Sequence, residues 1–271
     1  MFEVQRIQSF DLPDLQPYRT MRRQEEHRQQ GIFVAEGEKV VRRLLESKFT
    51  VVSVLLPEKW LRELEAVLQG RSEQIKVFVA EKKLLETLTG FSMYQGLLAV
   101  GRVPPLPTLD EVLASSARPY LLVAVDGLSS AENLGALVRN CSAFGVQALL
   151  VGESSSSPFL RRAVRSSMGT IFELPVIESG NLVQTLQSVR RKGIRCIAAH
   201  PHVEGRTLPQ AGFVSDCCLI FGSEGYGISP AVLEVCDDAV AIPMSPTVDS
   251  LNVGSAAAVF LYEANRQRGK M

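Results

Sequence analysis

Three short stretches of this chain carry residue types that packing alone does not call for, and each follows a run that reads as a strand. The first is VDGLSSAENLGALVRN, residues 125–140, where Asn133, Gly135 and Arg139 mark a loop passing into a helix. A helix starting at about Asn133 puts Arg139 on its first or second turn. A guanidinium there either clamps a phosphate or a ribose hydroxyl with its fork of donors, or is simply solvated. The second stretch is FGSEGYGIS, residues 221–229, with Gly222, Gly225 and Gly227 in one turn. Glycines at that density let backbone amides approach a ligand unobstructed. Pro230 stands where the last glycine of a dinucleotide fingerprint would fall, and no GK[ST] follows, so neither nucleotide-loop type is supported. Glu224 either orients a polar ligand group or caps the turn. The third stretch is IPMSPTVDSLNVGSAAAVFLYE, residues 242–263, a strand running through a proline loop into a helix of small residues. Ser250 is in place to cap that helix, and residues 256–258 suit tight packing. Asn252, beyond the expected cap, is harder to assign to packing.

The elements that must position these loops follow from periodicity. Residues 120–125 form a continuous apolar run, as in a strand buried on both faces. A helix over about 133–144 presents Leu134, Leu137, Cys141 and Phe144 on one face. Strand VQALLVG, helix LRRAVRSSM, strand FELPVI and helix LVQTLQSVRRKG come next, then strands IRCIAA, CLIFG and AVAIPM. Ser229-Pro230 opens a short helix, and Ser250 opens the last one, expected to run through Arg268. That alternation predicts a doubly wound α/β sheet of about six strands, with ligands at the strands' carboxyl ends. Before it, a helix over 18–30, IFVAEG, VVRRLLES, VVSVLL, a helix near Trp60, KVFVA and LLAVGRV form a smaller α/β unit. Between the two, residues 103–119 hold four prolines and read as a linker.

Composition narrows the class without naming it. The chain has 271 residues, enough for two modest domains, and its 29 basic residues balance 29 acidic ones. Any nucleic-acid surface must therefore be a local patch. The five cysteines have no CxxC spacing, which points to reduced, packed thiols. The start, MFEVQRIQSFDLPDLQ, lacks a signal peptide's apolar core, and no apolar stretch is long enough to span a bilayer. A cytoplasmic location is expected.

Taken together in order and spacing, NLGALVR, FGSEGYGIS and IPM followed by SLNVGSAAAV resemble the three motifs of the SpoU/TrmH RNA 2′-O-ribose methyltransferases, of the SPOUT superfamily. The resemblance covers about residue 120 to the end. RQQGIFVAEGEKVVRRLLES, residues 28–47, and YQGLLAV, residues 94–100, are similar to the substrate-binding domain that many members carry. It implies an RNA substrate-binding domain at 1–103, a linker at 104–119 and a methyltransferase domain at 120–271. The larger domain's mostly parallel sheet, with helices on both faces, would be tied in a trefoil knot. S-adenosylmethionine would be the cofactor, held around Gly222, Glu224, Gly225, Ile242, Met244 and Leu251. Arg139 matches the arginine proposed to help deprotonate the ribose hydroxyl, and Asn133, Glu224, Ser250 and Asn252 match the polar catalytic set. Because an arginine titrates far above neutrality, the more physical role is positioning the hydroxyl and its phosphate. RNA is the implied partner, ribosomal ahead of transfer RNA, in a homodimer formed through the larger domain with no metal and no membrane. Two departures stand out: Gly254-Ser255 where Ser-Val is common, and Pro246 where glycine is frequent.

Basic clusters supply candidate RNA contacts: Arg19, Arg22, Arg23 and Arg28, and Arg161, Arg162 and Arg165 after a serine run. Charged helix faces are also commonly just solvated. His200 is placed to line a pocket from a strand end, His202 follows it, and no third ligand is spaced for a metal. His27 is expected to be exposed and Trp60 to be packed. Competing readings are a knotted enzyme acting on a base nitrogen, a transfer RNA methyltransferase, and a non-catalytic RNA-binding or ribosome-assembly protein that keeps the fold.

Overall fold

A computed structural model describes residues 2–89, 96–201 and 206–270. The chain divides into two units: Met1–Pro105 with Phe159–Phe172, and Leu106–Pro158 with Glu173–Met271. Tyr94 and Gln95 of the YQGLLAV segment and His202 lie outside the described residues.

The first unit is built on a mixed sheet of β1 (Phe2–Arg6), β2 (Ile32–Glu36), β3 (Val51–Leu56), β4 (Ile75–Val79) and β5 (Leu98–Arg102), in the order β1-β4-β3-β5-β2. β1 and β3 run parallel to β4, whereas β5 is antiparallel to both β3 and β2. Strand β1 has no apolar run to announce it, because it is an edge strand with most residues exposed. Helices α3 (Glu38–Glu46), α4 (Glu58–Gln69) and α5 (Lys82–Thr89) lie between strands, and Trp60 on α4 is buried.

The single helix expected over 18–30 is two: α1 (Gln16–Arg19) and α2 (Gln24–Gln29). A continuous helix would put Tyr18 and His27, nine residues apart, on opposite faces, yet both are buried. The break lets Tyr18 reach Ser53, hydroxyl to hydroxyl at 2.8 Å, and lets Thr20 Oγ1 meet His27 Nε2 at 3.1 Å. His27, expected at the surface, is thus an interior residue.

A short helix from the second half of the sequence, Arg161–Ser166, belongs to this unit and packs on β2. Phe33 of β2 stacks on Phe172 at 5.5 Å between ring centres and also meets Phe49 and Phe159. Buried Glu36, at the end of the same strand, accepts hydrogen bonds from Arg161 and, at 2.7 Å, from Arg165. A buried carboxylate needs such partners, since losing them leaves an uncompensated charge.

Among the described residues the second unit holds six strands, all parallel: β6 (Leu121–Val125), β7 (Ala148–Val151), β8 (Val176–Glu178), β9 (Arg195–Ala199), β10 (Cys217–Phe221) and β11 (Asp238–Val240). Their order is β11-β9-β10-β6-β7-β8. The three strands β6, β7 and β10 are buried throughout, as their unbroken apolar runs require. In chain order the helices are α6 (Leu109–Ser115), α7 (Ala131–Ala143), the short helix above as α8, α9 (Leu182–Arg191), α10 (Pro230–Glu234) and α11 (Val253–Gln267).

The proline-rich linker contains α6, because Thr108 and Glu111 form a capping box and Val112 enters the core. The last helix starts three residues after Ser250: its cap is Asn252, whose Oδ1 accepts the Gly254 amide at 2.9 Å. All five cysteines remain thiols, and burial pushes Cys217 up to about 11 and Cys236 up to about 12.

Burial in the first unit lowers the titration point of His27 below its ordinary value. Since the unfolded chain then binds the proton more readily, stability is full above about pH 6.5 and declines as pH falls below it. Thermal melts from pH 7.5 to 5.5 should show a steeper loss for the wild type than for His27→Gln; parallel curves would remove this histidine from the account.

Candidate active site

One cavity of about 430 Å³ opens at the carboxyl ends of β9, β10 and β11. After β9 it is lined by Ala199, His200 and Pro201; after β10 by the whole turn from Phe221 to Ile228. The segment after β11 adds Ile242 and Met244, then Ser250, Leu251 and Asn252, with Ala256 and Phe260 of α11 behind. Parallel sheets leave this edge open to ligands because the connecting loops diverge there.

The glycine turn is built by close backbone contact. Ser223 and Gly227 exchange backbone hydrogen bonds at 2.9 and 3.1 Å. A Cβ on Gly222 would stand 2.1 Å from the Gly227 carbonyl carbon, so a side chain at 222 and the closed turn are incompatible. Behind it, the buried Asp126 carboxylate accepts the Ser229 amide at 2.7 Å, linking the end of β6 to the exit of the turn.

Beside the cavity a polar chain joins the three stretches singled out in the sequence. Asn133 Nδ2 donates to Glu224 Oε1 at 2.7 Å, and Asn252 Nδ2 donates to Asn133 Oδ1 at 3.0 Å. Asn133 is held in turn because Ser130 caps α7 by accepting the Asn133 amide. Asn140, two turns further along the same stripe of α7, donates to the Gly254 carbonyl at 2.6 Å. The first turn of α11 is thereby fixed at both its side chain and its backbone. Gly254 allows this fit: a Cβ there would lie 3.2 Å from both Ala136 Cβ and Asn252 Oδ1. The departure from Ser-Val thus matches close packing of α7 against α11.

Asn133, Glu224 and Asn252 are thus brought together, and Gly222, Glu224, Gly225, Ile242, Met244 and Leu251 all line the one cavity. Ser250 lines it too, without capping the helix. Arg139 falls on the third turn of α7, not its first or second, because the helix begins at Ala131. It is exposed and has no ion-pair or hydrogen-bond partner among the described residues. Of the other arginines, Arg19, Arg22, Arg28 and Arg162 are exposed and Arg23 pairs with Glu26. Arg161 and Arg165 already neutralise Glu36, which weakens their case as phosphate contacts. Asn140 was not assigned from sequence, although its spacing of seven from Asn133 was the available signal. Among the described residues no three His, Cys, Asp or Glu side chains gather as for a metal, and no helix is long and apolar enough to cross a membrane.

Residues 120–262 match the SpoU rRNA methylase family model. The chain belongs to the SpoU rRNA methylase family. An uncharacterized tRNA/rRNA methyltransferase of Mycobacterium tuberculosis is 34% identical over 97% of this chain and 92% of its own length. A 23S rRNA (guanosine-2′-O-)-methyltransferase of Vibrio cholerae is 33% identical over 69% of this chain and 76% of its own. The crystal structure of the SpoU methyltransferase AviRb from Streptomyces viridochromogenes, in complex with AdoMet, superposes with a TM-score of 0.80. That match covers 93% of this chain and 97% of AviRb at 26% identity.

The cavity suits such a cofactor on its own terms. Its volume lies within the range of about 300–1,000 Å³ usual for small-molecule sites. Val240, Ile242, Leu251 and Phe260 offer apolar wall to a flat ring, while the glycine turn presents bare backbone to polar ends.

Removing the cap and the interhelical bond together, Asn252→Ala should cost about 1–2 kcal/mol in urea unfolding. Gly254→Ala sets crowding against Ala136 against the better helix propensity of alanine, worth about 1 kcal/mol, and should move the midpoint less than Asn252→Ala does. An unchanged midpoint for Asn252→Ala would mean that the α7–α11 fit is looser than these distances indicate.

Proposed function

We propose that this protein, an S-adenosylmethionine-dependent RNA methyltransferase, methylates a ribose 2′-hydroxyl of structured RNA, ribosomal RNA ahead of transfer RNA. The observation that carries the reading is the Asn252–Asn133–Glu224 chain beside the cavity, with the unpaired Arg139 on the same helix as Asn133. Membership of the SpoU rRNA methylase family supports ribosomal RNA, and the guanosine-2′-O activity of the Vibrio cholerae relative supports ribose.

When bound, S-adenosylmethionine supplies an electrophilic methyl group on a sulfonium. Gly222, Gly225, Ile242, Met244 and Leu251 would hold it in the cavity, and Glu224 would be kept in place by Asn133. Arg139 would take a phosphate of the RNA, for which a guanidinium is the best-matched side chain. Holding the phosphate fixes the adjacent ribose, and its hydroxyl is oriented by the fixed amides of Asn133 and Asn252 with Ser250 near them. Orientation and charge stabilisation then supply the rate, with no strong free base needed. In this reading the loops after β9, β10 and β11 form the family's trefoil knot. The protein acts as a cytoplasmic homodimer through its second unit, where Val259 and Tyr262 leave apolar surface exposed on α11. The exposed arginines of α1 and α2 would give the RNA a second grip.

Isothermal titration should detect S-adenosylmethionine binding to wild type and to Arg139→Ala alike. Methyl transfer to unmodified ribosomal and transfer RNA transcripts should fall about a hundredfold in kcat for Arg139→Ala. Nuclease digestion should place the label on ribose. A label on a base would overturn the ribose assignment, and failure of the folded wild type to bind the cofactor would favour a non-catalytic RNA-binding role.

A further inference from the structure

Among the described residues Tyr226 is the most exposed large hydrophobic side chain of the second unit, at 99%. It stands between Gly225 and Gly227 on the turn after β10, so neither neighbour shields its ring. The backbone beneath it is braced: the Tyr226 amide donates to Ser223 Oγ at 3.1 Å, inside the reciprocal Ser223–Gly227 bonds. The side chain itself has no hydrogen-bond or ring partner among the described residues. An aromatic ring held by a stiff turn loses little conformational freedom when a flat partner covers it, and leaving it bare in water is unfavourable.

Its position says what that partner is. Tyr226 lies at the rim of the cavity, two residues from Glu224, which belongs to the polar chain with Asn133 and Asn252. A ring that closed over a ligand inside the cavity would be shielded by the cavity's own wall, and this one is not. Whatever stacks on it must come from outside and reach the same mouth. Unpaired RNA bases present such faces, and aromatic stacking accepts any base because each has a π surface.

We infer that Tyr226 is a stacking platform for a nucleobase of the RNA substrate, at or next to the nucleotide being modified. This rests on the reading of the chain as an RNA methyltransferase. The ring contributes position and affinity, the hydroxyl is dispensable, and the interaction selects unpaired over duplex RNA at the target.

The test compares full-length wild type with Tyr226→Ala and Tyr226→Phe, using unmodified ribosomal RNA transcripts and S-adenosylmethionine. Tyr226→Ala should raise the KM for RNA about tenfold, whereas Tyr226→Phe should match the wild type. The cofactor Kd by titration and the oligomeric state by sedimentation should be unchanged in both variants. In Tyr226→Trp, indole fluorescence should be altered by adding RNA but not by cofactor alone. The stacking assignment is overturned if Tyr226→Ala leaves the RNA KM unaltered. It also fails if the loss appears in cofactor Kd or in assembly, which would make the ring a cofactor cover or an interface residue. A wild type that binds cofactor but methylates no RNA would instead remove the reading on which the inference stands.

Discussion

The site depends on one carboxamide being shared between two loops. Asn133 donates from its amide nitrogen to Glu224 and accepts at its oxygen from Asn252, so α7, the turn after β10 and the start of α11 must all be in register for both bonds to exist. Nothing in the sequence places Asn133 near Glu224, 91 residues away, or near Asn252, 119 away. The parallel sheet does it, by carrying β10 beside β6 in matched register so that both strands end at one edge. Both bonds lie on the open side of the cavity, so each adds only about 1 kcal/mol net, and what they supply is position more than stability.

The same logic accounts for the small residues. Gly222 is a requirement of backbone meeting backbone, while Gly254 leaves room where one helix meets another closely. The run Gly254–Ala258 that reads as mere packing does pack, but what it brings close is the cap of α11 and the stripe of α7 that carries both asparagines. Tight packing and site geometry are here one constraint, since Asn252 serves as helix cap and as hydrogen-bond donor at once.

In the first unit the organising contact is different in kind. Four phenylalanine rings, Phe33, Phe49, Phe159 and Phe172, gather at β2, and Glu36 on the same strand is answered by Arg161 and Arg165. Two of those rings and both arginines come from a stretch that its place in the sequence assigns to the second unit. Apolar area and a buried charge outweigh sequence proximity, because burial energy scales with the surface removed from water wherever along the chain it originates.

What the sequence determined by itself was whatever depends on local periodicity and on residue type. Unbroken apolar runs marked β6, β7 and β10, helical spacing marked α7 and α9, and the spacing of three motifs marked the family and the loops around the cavity. Tertiary structure alone decided the rest. It split the helix over 18–30 so that Tyr18 and His27 could both be buried, and it moved the cap of α11 from Ser250 to Asn252. It also paired Arg161 and Arg165 with Glu36 and left Arg139 unpaired. Each of these outcomes turns on which distant group arrives within hydrogen-bonding distance or excludes water, and a linear pattern of residues does not contain that information.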